Sequence, residues 1–110
     1  MVALNRRLEL QEPERFADGA GGFSESWVKL GDVWASVDAR TALRGGTAGA
    51  DLSRLRYRIL LRAAPQGSAA RPKPGQRFVE GTRLFLIDAV SEFDRLGLYL
   101  ECWAHEEVLA

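Results

Sequence analysis

The chain has 110 residues, of which 46% are hydrophobic and 27% charged; that suffices for one domain with its own core and excludes a disordered polymer. No apolar run approaches the length of a membrane span, and the N-terminal "MVALNRRLELQ" lacks the apolar stretch of a signal peptide. The net charge of zero conceals segmentation: residues 1–39 carry −3, residues 40–83 carry +8 and residues 84–110 carry −5.

Such segmentation suits a protein that stacks against copies of itself or against charged neighbours. The alternative is that the fold interleaves the three segments and cancels the pattern. The single cysteine, Cys102, cannot form an intramolecular disulfide, which fits a cytoplasmic origin.

Taken in chain order, alternation with a period of two dominates. Leu4, Leu8 and Leu10 share one face of a first strand, with Asn5, Arg7, Glu9 and Gln11 opposite. Pro13 has no N–H for a ladder and is expected to end the pairing. "ADGAGGFSES" reads as a flexible loop. A strand resumes at Trp27, bends or bulges at Gly31-Asp32, and sends Val33, Ala35, Val37 and Ala39 inward, with Trp34, Ser36, Asp38 and Arg40 outward.

A second mobile loop, "TALRGGTAGAD", precedes the cleanest alternation in the chain. There Leu55, Tyr57, Ile59 and Leu61 face one way, while Arg54, Arg56, Arg58 and Arg62 face the other. A Pro- and Gly-rich loop follows. The segments on either side of Gly81-Thr82 read as a β-hairpin, whose Leu84–Ile87 run suggests a strand covered on both faces. A polar turn around Asp94 and Gly97 leads to a last strand, Leu98 to about Ala104, and "HEEVLA" trails as an acidic tail. The expected fold is all-β: a single domain over residues 1–110, a small antiparallel barrel of about six strands with long mobile loops.

The chemistry-bearing residues are sparse. Cys102 and His105 are three apart, so on a strand they face opposite ways and do not make a nucleophile–base pair. One Cys and one His cannot supply a structural zinc site, and the acids lack the close pairing of a hydrolase or calcium loop. "DGAGG" lacks the Gly-Lys-Ser/Thr ending of a phosphate loop. We therefore expect no catalytic site, no metal and no cofactor.

The arginine column of Arg54, Arg56, Arg58 and Arg62 has two readings. It could contact phosphates, or it could be a solvated face whose charges pair with acids on neighbouring strands. Aromatic interleaving is weak there, because Tyr57 points to the opposite face. Trp27, Trp34 and Trp103 read as core or interface anchors.

The order "RRLELQ", "DGAGGFSESWVKLGDVWASVDA", "YRILLR", "GQRFVEGTRLFLIDAV" and "LGLYLECW" resembles the head–tail joining (head-closure or stopper) proteins of long-tailed bacteriophages, prophages and gene transfer agents. The resemblance spans nearly the whole chain. Its most specific part is Gly21-Gly22, Trp27 and then Val33-Trp34-Ala35. Pro65–Gln76 is richer in proline and glycine than the family pattern.

The resemblance implies a structural particle protein, assembled in the bacterial cytoplasm. It would form a ring of six or twelve copies between a portal or adaptor ring on the head side and a terminator or tail tube on the tail side. It also implies contact with packaged double-stranded DNA and none with a membrane. The loop Thr41–Ser53, with Arg44, Gly45, Gly46 and Asp51, would project toward the channel and contribute to its gate. Asp18–Ser26, with Gly21, Gly22 and Phe23, would meet the adaptor or tail side. The rival readings are a tail terminator or other tail-side connector, and a small nucleic-acid-binding barrel using the arginine-rich strand.

Overall fold

The computed structural model describes residues 2–43 and 54–107. Six strands follow one another: β1 (Arg6–Ala17), β2 (Phe23–Leu43), β3 (Arg54–Arg62), β4 (Arg77–Glu80), β5 (Arg83–Glu92) and β6 (Tyr99–Glu107). They are antiparallel throughout and close into a barrel in the order β1-β2-β3-β6-β5-β4, with the short β4 sealing the ring against β1. The described residues contain no helix. Closure leaves few sheet edges exposed, which a 110-residue all-β chain needs to avoid edge-to-edge aggregation.

The alternating apolar residues deliver the core as expected. Leu8, Leu10, Ala35, Ile59, Phe78, Phe85, Leu100, Cys102 and Ala104 are fully enclosed. Tyr57 closes one end, edge-on to Phe85 at 5.0 Å between ring centroids. Each large apolar side chain removed from water contributes about 1.5–3 kcal/mol, so this cluster supplies most of the driving force. The two-residue turn at Gly81-Thr82 joins β4 to β5, with Gly81 at a positive φ of 60°.

Five expectations are corrected. β1 does not stop at Pro13: it pairs with β2 as far as Ala17, while its pairing with β4 ends at Gln11. Past that point β1 has a neighbour on one side only, and a proline is tolerated on such an edge. The segment Phe23–Ser26 is strand, so the loop shrinks to Asp18–Gly22 at the end of a two-stranded ribbon. Neither this turn nor the proline-rich loop is a loose excursion; the latter is held by Arg71 Nη1 donating to the Ala64 carbonyl (3.0 Å) and by buried Pro72 and Gln76. The "HEE" of the supposed tail belongs to β6. Finally, Leu55 and Ala39 are exposed, because the β2–β3 pair runs beyond the end of the core.

Two bulges shape the barrel. Leu10 pairs with Gly31 and Gln11 with Lys29, so Leu30 is an extra residue on β2. Ile87 pairs with Ala104 and Ala89 with Trp103, so Asp88 is an extra residue on β5. Bulges kink and twist a strand, which a small barrel needs in order to close.

Candidate assembly interface

Two exposed aromatic side chains, Phe16 and Phe23, ride on the β1–β2 ribbon. From Glu12 to Ala17, and from Phe23 to Val28, the two strands pair only with each other. Six residues per strand at ~3.4 Å each give an arm about 20 Å long. Its turn is organised by Asp18, whose Oδ1 accepts from the N–H groups of Ala20 (2.8 Å) and Gly22 (3.0 Å), while the Asp18 N–H donates to the Gly22 carbonyl (3.1 Å). A Cβ on Gly22 would lie 2.8 Å from Asp18 Oδ2, so glycine gives the carboxylate its room.

Pairing registers assign the arm's two faces. Phe23, Arg15 and Trp27 share the outward face, and Phe16 and Val28 lie on the other. Cations brace the rings: the Arg15 guanidinium lies 4.8 Å from the Phe23 centroid, and that of Arg77 lies 4.0 Å from Trp27. Arg77 Nε also donates to Gln11 Oε1 at 2.7 Å, locking the arm's root to β4. Burial there pushes the Arg77 guanidinium down from its ordinary value, against the pull of surrounding glutamates. Phe23 is 65% exposed and Phe16 48% exposed.

Trp34 stands elsewhere. It is 58% exposed and borders a shallow groove lined also by Leu4, Val33, Leu61, Arg62 and Ala70. The arginine column occupies the outer wall formed by β3 and β6. Arg56 stacks over Trp103 (5.2 Å), Arg58 over Phe93 (5.6 Å) and Arg62 over Tyr99 (5.9 Å). Arg58 also reaches Asp38 (3.6 Å) and Glu101 (3.8 Å), and its Nε is buried without a hydrogen-bond partner. The aromatic interleaving thus comes from the neighbouring strand β6 and a loop, which alternation within one strand could not reveal.

At one mouth of the barrel, long-range ion pairs form a network. Arg6 donates to both oxygens of Glu80, with Nε to Oε2 at 2.9 Å. Arg83 Nε donates to Glu106 Oε2 (2.8 Å), and Tyr57 Oη donates to Glu106 Oε1 (3.1 Å). The Arg6 hydrogen bond holds the Glu80 carboxyl below its ordinary range, and the Arg83 hydrogen bond does the same for Glu106, each against an opposing effect of burial.

Cys102 is enclosed in the core, and burial pushes its thiol up to about 12. His105 sits on the opposite face of β6, its Nδ1 2.8 Å from Asp88 Oδ2. The two do not meet. Among the described residues no three His, Cys, Asp or Glu side chains converge to hold a metal, and no helix is long and apolar enough to cross a membrane.

The expected site residues therefore divide. Gly21, Gly22, Phe23 and Trp27 come together on the arm. Arg56, Arg58 and Arg62 share the outer wall of β3, which Arg54 opens, and Arg62 also borders the Trp34 groove. Arg44, Gly45, Gly46 and Asp51 lie outside the described residues. Phe16, Arg77 and the groove were missed; for Phe16 the available signal was the continued alternation of Leu8, Leu10, Glu12 and Glu14 on its face.

A closed β-barrel that displays its aromatics on a braced arm, rather than around a cavity, has the make-up of a structural assembly protein. The family profile described as phage head completion protein matches residues 1–107, and the chain belongs to that family. It is a structural head–tail protein. A chain in the solved "Virion of native gene transfer agent (GTA) particle" is 48% identical, with a TM-score of 0.82 and full coverage of both chains. The solution structure of protein SF1141 from Shigella flexneri 2a shares the fold: TM-score 0.67, 22% identity, covering 96% of this chain and 95% of that one. No match is found among curated proteins.

Proposed function

We propose that copies of this protein form a ring at the head–tail connector of a phage-like particle, where they close the DNA-filled head and present a docking surface to the tail. The observation that supports this most is the end-to-end likeness, at 48% identity, to a chain of a gene transfer agent virion. In this reading the neighbours are a portal or adaptor ring on one side and a terminator or tail tube on the other.

The architecture suits the task. The barrel is a rigid spacer, and the Asp18-capped arm is ordered before contact, which lowers the entropy cost of docking. The arginine column is braced by rings and by two carboxylates, so it works as a stiffened outer wall more than as a set of free phosphate ligands. Arg44, with Gly45, Gly46 and Asp51, remains the proposed contribution to the channel gate.

Gold labelling of a C-terminally tagged copy in purified particles tests the placement. Label confined to the junction of head and tail is expected; label spread over the shell or along the tail would overturn it.

A further inference from the structure

The arm is held on one of its faces and unsupported on the other. Outside, Arg77 pins its root: the guanidinium lies over Trp27 at 4.0 Å, and Nε donates to Gln11 Oε1 at 2.7 Å. The inner face continues the side of Leu8 and Leu10. There the pairing registers set Glu12, Glu14 and Phe16 of β1 beside Val28, Ser26 and Ser24 of β2. Beneath this face lies a crevice of about 200 Å³, bounded by Glu12 and Leu30 at the arm's root and by Ser68, Arg71, Lys73 and Gln76 of the loop between β3 and β4.

The charges on the two sides of the crevice are opposite: Glu12 and Glu14 on the arm, Arg71 and Lys73 on the loop. Among the described residues none of the four is in an ion pair. The hydrogen bond that crosses the crevice, from Gln76 Nε2 to Glu12 Oε1, is long at 3.5 Å. The complementarity thus lies within one copy and selects the arm itself as what fills the gap.

The arm's root is also where its support ends. β4 leaves β1 at Gln11, and the extra residue Leu30 interrupts the β1–β2 ladder at the same level. A bulge leaves one residue unpaired and bends its strand, and the two-stranded ribbon beyond it twists more than a sheet does. Glu14 lies two residues, ~7 Å, further along the arm than Glu12, so a short inward bend carries it toward the Lys73 side chain.

We propose that the arm is a strap: in the unassembled chain its inner face closes onto the loop of the same copy, pairing Glu12 and Glu14 with Arg71 and Lys73 and covering Val28, and docking in the particle draws it out. Exposed ion pairs are individually weak and screened by salt, so the closure is reversible. The release rests on the connector reading; the closure does not.

Carbodiimide coupling of the purified, unaltered chain tests the closure, because it joins a lysine amine to a carboxylate only where the two meet. Lys29, the only other lysine, is the internal control, with its Nζ 3.3 Å from Asp32 Oδ2. The expected result is a Lys73–Glu14 link within single copies, located by mass spectrometry of the digested monomer and several-fold less abundant at high salt. A Lys29–Asp32 link without a Lys73–Glu14 link would overturn the proposal, as would Lys73 joined to Glu12 alone or joined only between copies. Equal abundance at high salt would overturn closure by charge. In purified particles the Lys73–Glu14 link should be lost; a link as abundant there as in the unassembled chain would overturn the release. Gold label absent from the head–tail junction would remove the connector role and leave the closure standing.

Discussion

Trp27 and Trp34 face the same side of β2 although they are seven residues apart, because the extra residue Leu30 resets the alternation between them. In a regular strand an odd spacing places side chains on opposite faces. The bulge therefore absorbs the extra residue, so that β2 keeps step with β1, and it sets the angle at which the arm leaves the barrel wall.

Deleting Leu30 should restore regular pairing with every β1 partner and face kept, while removing the local bend and twist that the bulge gives the arm. We expect the barrel to fold, with the far-ultraviolet spectrum kept, while joined particles fall by about tenfold or more, the equivalent of ~1.4 kcal/mol of interface energy. Normal yields of joined particles would show that the angle of the arm is immaterial. Trp34→Ala, at an exposed position, should shift stability by no more than about 0.5 kcal/mol while lowering joined particles in the same assay.

The mouth network predicts acid sensitivity. Glu80 and Glu106 are held below their ordinary value of 4.5 by Arg6 and Arg83, so the folded state binds their protons more weakly than the unfolded chain. The stabilisation is complete above about pH 4.5 and is lost as the pH falls through the lower folded values. Chemical denaturation as a function of pH should therefore show a fall on the acid side. Glu106→Gln should cost about 1–2 kcal/mol at neutral pH and flatten that fall. An unchanged profile would mean the network adds nothing to folding.

Asp18 holds the arm's turn through two accepted hydrogen bonds, to the N–H groups of Ala20 and Gly22. Asp18→Ala should speed amide exchange at those two positions by about fivefold to tenfold, matching the ~1 kcal/mol net value of a hydrogen bond, without changing exchange in the core strands. Equal acceleration in β3 and β6 would show that the turn is coupled to the whole barrel.

Cys102 should resist alkylation in the native protein, since its thiol is enclosed and its ionisation is suppressed by burial. Reaction at the rate of global unfolding is expected; fast labelling under native conditions would contradict the enclosed position. By contrast Phe78→Ala or Phe85→Ala empties the centre of the core and should cost about 3–5 kcal/mol.

What the sequence revealed was whatever depends on near neighbours along the chain. The alternation of Tyr57, Ile59 and Leu61 and the Gly81-Thr82 turn defined β3 and the β4–β5 hairpin because both are local patterns. Pro13 misled because its tolerance depends on whether a second strand lies beside it, and β4 ends before reaching it. Phe23 looked like loop because glycines precede it, while its pairing with Ala17 is fixed by the Asp18 turn. The pairs Arg6–Glu80 and Arg83–Glu106 span 74 and 23 residues, the first revealed only by ring closure between β1 and β4 and the second only by the register of β5 on β6. The groove beside Trp34 draws on Leu4, Leu61 and Ala70, which no spacing rule connects.

The most direct measurement of the central claim is electron microscopy of particles from a producing strain that lacks this coding sequence. The account predicts packed or leaking heads separated from complete tails, with joining restored when the intact gene is returned. Normal, joined particles in its absence would contradict it.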